Sequence, residues 1–400
     1  LKNRVFIPFR GPISPIPRKS FNFSRSAADI HGKAKSVHFR LVFSAILFWP
    51  LTALLAQPDR IAGRVDASHV LKVDGNINPQ ATPASDVGPV DPAMKLNYVR
   101  LMLKPSAAQQ SALSQLLHDQ QTPGSPNFRK WLTPEQFADR FGGSPADIAK
   151  ITEWMRAQGF DIVTVARSRR FVAFNATARQ IQSALGTGIH HYQTNGETHF
   201  ANTAAPTVPA AIQPLVLGFI GLDDFHSKAQ SIKATKPRFT GSGGGHVVSP
   251  GDLAIIYDVL PIYQAGYTGQ GQTIAVIGQS NVQLSDVEAF RSDFGLSSNL
   301  PQAVLVPGSQ DPGLVSGDEG ESDLDLEYAG GMAPDAQVVF VYSTDVIISV
   351  TYAIDQQLAP VISYSYAGCE LNVSSADAQS LQTLAQQANA EGITWVVASG

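Results

Sequence analysis

The sequence predicts an α/β protein, a doubly wound parallel sheet preceded by a smaller α+β domain. Three observations predict it. From residue 273 onward, continuous apolar runs (QTIAVIGQ, QAVLVPG, QVVFVYS, APVISYSYAG, ITWVVASG) alternate with helix-length stretches, as strands buried on both faces do. From 94 to 225, shorter strand-like and helix-like segments alternate with frequent turn signals. Between the two lies HSKAQSIKATKPRFTGSGGGHVVSP, a basic Gly/Ser-rich connector that reads as exposed and cleavable across 226–248.

Residues 1–57 carry their own signal. The first 40 hold nine Lys or Arg and one acid, without apolar periodicity. LVFSAILFWPLTALLAQ follows at 41–57. Its apolar core of about 15 residues is short of the roughly 20 that span a bilayer as a helix. With Arg40 before it and Ala56-Gln57 after it, the order is that of a secretory signal peptide. The expectation is a secreted protein, extracellular or periplasmic, with no stable membrane span; a membrane anchor is the alternative. The basic stretch is long for a signal, the first methionine is Met94, and the chain stops inside a strand-like run. A fragment with an upstream extension or a misplaced start is therefore expected.

Residues 58–93, rich in Pro, Asp, Ala and Gly, read as linker. LNYVRLMLKP then alternates like a strand, and SAAQQSALSQLLHDQ carries an apolar helical stripe. Thr133-Pro134-Glu135 and Ser144-Pro145 each open a helix with a capping hydroxyl and a proline in the first turn, and Gly159 stops the second. DIVTVARSRRFVAFNA is two strands about a turn. TARQIQSALGTGIHHYQTNGETHFAN is helix, strand, Asn-Gly turn and strand. His190 and His191 fall in a strand and point to opposite faces, so they cannot share a metal. The second domain, 249–400, gives strands at each apolar run above, with helices at QLSDVEAFRSDFG, DVIISVTYAIDQQL and SSADAQSLQTLAQQANAEG. Function in such sheets sits at the strands' carboxyl ends.

Composition bounds the function. Of 400 residues, 44% are hydrophobic and 16% charged, so the chain is globular, and a single cysteine, Cys369, excludes a disulfide within these residues. The net charge of −4 hides a partition. Residues 249–400 contain 18 acids and one base, Arg291, whereas residues 1–248 contain 28 bases and 15 acids. The acidic part is thus no partner for nucleic acid. It attracts the basic part, or works at low pH; plain solubility is the bland alternative.

The acids concentrate in GDEGESDLDLEYAGGMAP, where six of the ten residues from Asp318 to Glu327 are carboxylates. On a helix Glu321 and Asp325 share one face, and Asp323 and Glu327 another. Neighbouring carboxylates raise one another's pKa, which suits acid–base chemistry in acid. Acids at a helix start are also ordinary dipole partners. An EF-hand begun at Asp318 is excluded, because its sixth position is Asp323 rather than glycine.

Together these segments resemble the sedolisins, or serine-carboxyl peptidases, with a pro-kumamolisin-type activation domain. The resemblance covers residues 95–400. It rests on QQTPGSPNFRKWLTPEQFADRFG, WMRAQGF and GTGIHHYQTNGETHFAN in the first domain, and on SPGDLAIIYDV, TGQGQTIAVIGQSNV, GDEGESDLDLEYAGGMAP, VISYSYAGCE and GITWVVASG in the second. It implies a subtilisin-like sheet, here C-terminally truncated, behind a ferredoxin-like propeptide. It implies Glu321 as general base for a serine nucleophile and Asp325 as the acid that orients it. A Glu, unlike a histidine of pKa about 6.5, still ionises selectively in acid. Ser365 and Tyr366 fall in the strand that would pair with substrate, although Ala367 stands where relatives often carry glycine. No Gly-His-Gly-Thr-His segment supports an ordinary subtilase.

The oxyanion Asp of a Ser-Gly-Asp segment, the nucleophilic serine of a Gly-Thr-Ser segment and the calcium ligands are all expected beyond Gly400. The fragment as written is expected to be inactive. Cys369 fits a pairing with a cysteine beyond the same point, against a free buried thiol. The implied partners are peptide or protein substrates and the chain's own propeptide as intramolecular inhibitor, in a monomer. Acid is expected to loosen the hold of the acidic domain on the basic one. The rival reading is a catalytically inactive relative that binds peptides or another surface. A carboxylate-pair glycosidase lacks support.

Overall fold

A computed structural model describes residues 57–229 and 248–398. The signal-type segment up to residue 56, residues 230–247 of the connector and Ser399-Gly400 lie outside the described residues. The first domain runs β1 (Val70–Lys72), β2 (Asp86–Pro89), β3 (Lys95–Leu103), α1 (Ala107–Gln121), α2 (Pro134–Phe141), α3 (Pro145–Ala157), β4 (Asp161–Val165), β5 (Phe171–Thr177), α4 (Ala178–Leu185), β6 (Ile189–Thr194), β7 (Glu197–Asn202), β8 (Thr207–Pro209) and β9 (Val216–Ile220). After β10 (Lys228–Ala229), the second runs α5 (Pro250–Ile256), α6 (Leu260–Gln264), β11 (Thr273–Gly278), α7 (Leu284–Asp293), β12 (Gln302–Leu305), α8 (Asp318–Met332), β13 (Gln337–Tyr342), α9 (Val346–Asp355), β14 (Val361–Tyr364), β15 (Tyr366–Ala367), α10 (Ser375–Ala390) and β16 (Thr394–Val397).

The local rules hold. Ser106, Thr133 and Thr177 close capping boxes on α1, α2 and α4, and Ser144 caps α3. In the second domain β12-β13-β11-β14-β16 form one sheet, parallel throughout. In the first, β4-β5-β3-β9 form an antiparallel sheet and β2-β6-β7 a second. The 58–93 segment expected as linker is packed instead. It supplies β1, which pairs with β8, and β2, which pairs with β6, and it buries Ile61, Val73 and Val90. Its prolines and glycines serve turns between short edge strands, which composition does not distinguish from a linker. No helix among the described residues is long and apolar enough to cross a membrane.

Strand β3 shows how the domains join. Val99, Leu101 and Leu103 point into the first domain's own core with α3 and α4. Tyr98 and Met102 point the other way, into a core shared with α9, α10 and the parallel sheet. Between them Arg100, 1% exposed, reaches α9. Its guanidinium donates to the Ile347 carbonyl (3.2 Å) and the Thr351 hydroxyl (3.0 Å), and pairs with Asp345 at 3.4 Å. The Asp355 carboxylate accepts the main-chain N–H groups of Arg167 (2.8 Å) and Ser168 (3.0 Å). The Ala390 carbonyl accepts from Leu132 N and Gln120 Nε2, both at 3.0 Å.

Burial raises other interface acids. Burial, and then the charge of Asp377, pushes up Asp223 of the first domain; burial likewise pushes up Asp377. Burial pushes Glu391, at the end of α10, to about 8. A carboxyl whose folded pKa is raised binds more proton folded than unfolded. Its contribution to stability is therefore greatest in acid and is lost as pH rises, for Glu391 between about 4.5 and 8. Stability of the intact chain should fall across that window, and Glu391→Gln should flatten the fall, as read by melting temperature against pH. Arg100→Ala strands Asp345 in the interface and should cost about 3 kcal/mol in denaturant unfolding of the intact chain. A cost within error of zero would make Arg100 a bystander.

Candidate active site

The site is built on α8, whose start is fixed by the end of β11. Gly317, at φ +97°, precedes the helix in a conformation that favours glycine. The Ser280 hydroxyl accepts Val315 N (2.9 Å) and Asn281 N donates to the Gly313 carbonyl (2.8 Å), so the turn after β11 holds the loop before α8. Gly278 lets the two elements close up. A Cβ there would lie 2.6 Å from the Phe340 ring and 2.9 Å from Ser322 Oγ. Leu326 anchors the helix in a core with Val276, Val338 and Phe340. At the far end Arg291, 3% exposed, donates to the carbonyls of Gly330 (3.2 Å) and Pro334 (3.2 Å). The single base of the acidic half thus serves the carbonyl end of the acidic helix, where the dipole favours a cation.

Glu321 is 3% exposed in the first turns of α8, and Asp325 lies one turn further along the same face. The Ser365 hydroxyl donates to Asp325 Oδ1 at 2.8 Å. Asp325 Oδ2 is buried and has no hydrogen-bond partner among the described residues. Burial pushes Asp325 up to about 7, the Glu321 charge adds to the rise, and the Ser365 hydrogen bond opposes it. At acid pH Asp325 therefore carries a proton beside a second buried carboxyl. Such a pair can hold, take up and return protons without full exposure to water.

The remaining acids separate by face. Burial raises Asp318, whose Oδ1 accepts from Gln279 Nε2 at 3.1 Å. Asp323 and Glu327 lie half-buried toward Asp286 of α7, and burial pushes them to about 6 and 7. They are thus neither a freely solvated face nor a cap. Leu324, 41% exposed, lies on the outer side of the helix.

Of the residues expected in the substrate strand, Ser365 turns its side chain to Asp325, and Tyr366 buries its ring, 1% exposed. The main chain of β15 is what meets another strand. Tyr366 pairs with Ala229 and Ala367 with Lys228, antiparallel, so β10 lies along β15. Beside β15 runs a largely apolar cavity of about 820 Å³, lined by Tyr364, Tyr366, Leu381, Trp395 and Val397. Gln279, which donates to Asp318 and to the Ser227 carbonyl, is a residue of the candidate site that sequence reasoning missed. Nothing in the run IGQSN marks one amide from another. Cys369 is free and exposed, not a buried thiol. His190 meets Asp86 at 2.8 Å across the β2–β6 pair. No group of three or more His, Cys, Asp or Glu suited to a metal occurs among the described residues.

Fold and site together define a two-domain chain in which a first domain packs on helices α9 and α10 of a parallel-sheet domain that carries paired carboxyls on α8. Residues 82–225 match the pro-kumamolisin activation domain. The chain is 28% identical to sedolisin of Pseudomonas sp. (strain 101) over 309 residues, 73% of this chain and 52% of that protein. It is 27% identical to xanthomonalisin of Xanthomonas sp. (strain T-22) over 313 residues, covering 72% and 38%. It is 26% identical to kumamolisin of Bacillus sp. (strain MN-32) over 353 residues, covering 82% and 60%. Residues 82–225 thus carry a pro-kumamolisin-type activation domain, and the chain is similar to members of the sedolisin family over most of its length. It spans about half the length of the curated relatives it matches, from 38% to 60%.

Ser365→Ala removes the one hydrogen bond that opposes the rise at Asp325. The Asp325 carboxyl should then titrate above about 7, displaced by about 1.5 kcal/mol, and Ser365→Thr should restore it. Carbon-13 NMR of the aspartate carboxyls reads this directly.

Proposed function

We propose that the full-length protein is the zymogen of a secreted, acid-acting serine-carboxyl endopeptidase. The parallel sheet is the N-terminal part of a subtilisin-like catalytic domain, and residues 94–225 are a ferredoxin-like propeptide, followed by a cleavable connector at 226–248. Glu321 is the general base. It takes the proton of a serine hydroxyl, expected in the part of the protein beyond Gly400, as that oxygen adds to the peptide carbonyl. The proton then passes to the leaving amine as the acyl-enzyme forms. Water repeats the cycle, giving its proton to Glu321 as it attacks the ester. Asp325 holds its own proton through this exchange and orients Glu321. Ser365 fixes Asp325, and the β15 main chain, Tyr366 included, aligns the peptide. Calcium is expected by family resemblance, on ligands beyond Gly400, and no step here runs through it.

The observation that carries this reading is the pairing of β10 with β15 beside the Glu321–Asp325 face. A strand leaving the activation domain lies where an extended substrate would lie, which supports the propeptide as intramolecular inhibitor. The apolar cavity beside β15 favours an apolar substrate side chain next to the paired segment.

Glu321→Gln in the full-length protein should lower kcat on peptides roughly 10³- to 10⁴-fold. Asp325 is protonated below about 7 and loses its proton above it. Activity that requires that proton is thus full well below pH 7 and falls as pH rises through it. Asp325→Asn should remove this alkaline limb from the rate profile. A full-length protein that binds peptides but never cleaves them would instead establish the inactive, peptide-binding relative.

A further inference from the structure

We propose that Gln279 is a substrate-anchoring residue, whose carboxamide holds a peptide main-chain carbonyl just upstream of the two residues that pair with β15. The proposal rests on the peptidase reading above and adds to it a requirement on the substrate. Gln279 follows β11 directly and is 8% exposed. Its Oε1 accepts Val346 N at the start of α9 (3.4 Å), which fixes the orientation of the amide. Nε2 therefore points the other way, and its two hydrogens go to Asp318 Oδ1 (3.1 Å) and to the Ser227 carbonyl (3.0 Å). Two of the three partners are scaffold, at the starts of α9 and α8. The third belongs to the segment lying in the cleft.

The register gives this contact its meaning. Ala229 faces Tyr366 and Lys228 faces Ala367, and there the ladder ends. Ser227 is the next residue upstream, and Gln279 donates a hydrogen bond to its main-chain carbonyl where β15 pairing no longer reaches. A main-chain carbonyl is common to every peptide residue, so the contact is indifferent to side chains. What it senses is whether the chain continues. A peptide whose amino terminus falls at the Lys228 position has no carbonyl to offer. The geometry thus points to a cleft that favours chains extended upstream of the paired dipeptide, and hence to cleavage of internal bonds.

Two measurements test it. The first uses the full-length processed enzyme and two peptides that differ only in the carbonyl at the Ser227 position, one intact and one reduced to a methylene. The wild type should show a KM about fivefold lower for the intact peptide, and Gln279→Ala should abolish that difference. Equal losses on both peptides would mean that Gln279 only braces Asp318 and α9, and would overturn the proposal. The second needs no catalysis. In the uncut chain carrying Glu321→Gln, Gln279→Ala should speed amide hydrogen exchange of residues 227–229 about fivefold. Gln283→Ala, on the exposed turn nearby, should leave it unchanged. Unaltered exchange in Gln279→Ala overturns the anchoring. Faster exchange with no peptide cleavage by the wild type would sink the peptidase reading and leave Gln279 as the anchor of the chain's own connector.

Discussion

Burying two carboxyls on one face of α8, at the carboxyl edge of a parallel sheet, is the constraint on which the surrounding structure depends. Two ionised groups in that position would repel and lose their hydration. The helix start offers partial positive charge, Asp325 retains its proton, and Ser365 occupies one of its oxygens. The scaffold must also let the helix approach closely. Gly278 admits Ser322 and the Phe340 ring, while Gly331 lies against Pro250 and Phe290. Arg291, turned inward to the last carbonyls, completes the helix at its other end. A larger residue at any of these close contacts would shift the carboxyls against the sheet.

Much of this was legible because it follows from short-range rules. Continuous apolar runs gave the parallel strands, and Ser-Pro and Thr-Pro openings gave the helix starts. The four-residue spacing put Glu321 with Asp325. What stayed hidden depends on partners distant in sequence. Arg100 sits in an alternating strand and looks like a solvent-side residue until α9 is laid over it. The 58–93 segment looks like linker because its strands are short and each needs an edge from another element, β8 or β6. Asp323 and Glu327 look solvated because the sequence does not show that α7 brings Asp286 to them. Gln279 matters only through the segment that crosses it. Ser365 was expected in the substrate strand, and the support its side chain gives Asp325 was not legible in the sequence.

The division of charge along the chain suggested that acid would loosen the two domains. The interface presents a different balance. Direct charge pairing across it is sparse among the described residues, with Arg100–Asp345 the buried instance. Asp223, Asp377 and Glu391 are raised carboxyls, so acid relieves their burial rather than breaking a bond. Through these groups, protonation strengthens the closed arrangement. Any acid-driven opening must work through other groups against that tendency. Gross charge segregation therefore says little about the sign of a pH response; the local environment of each carboxyl decides it.

Among the described residues the β10–β15 ladder pairs Lys228 with Ala367 and Ala229 with Tyr366. On the zymogen reading proposed above, β10 is tied covalently to the activation domain on one side and to the acidic parallel-sheet domain on the other, so its effective concentration at β15 is set by the tether. Cutting the tether downstream of β10 leaves the strand held only through the docked activation domain. Undocking that domain then dilutes the strand into the medium. On that reading, occupancy of the cleft depends on connectivity as well as on contact strength, and a single chain break would turn a reversible closure into a one-way opening.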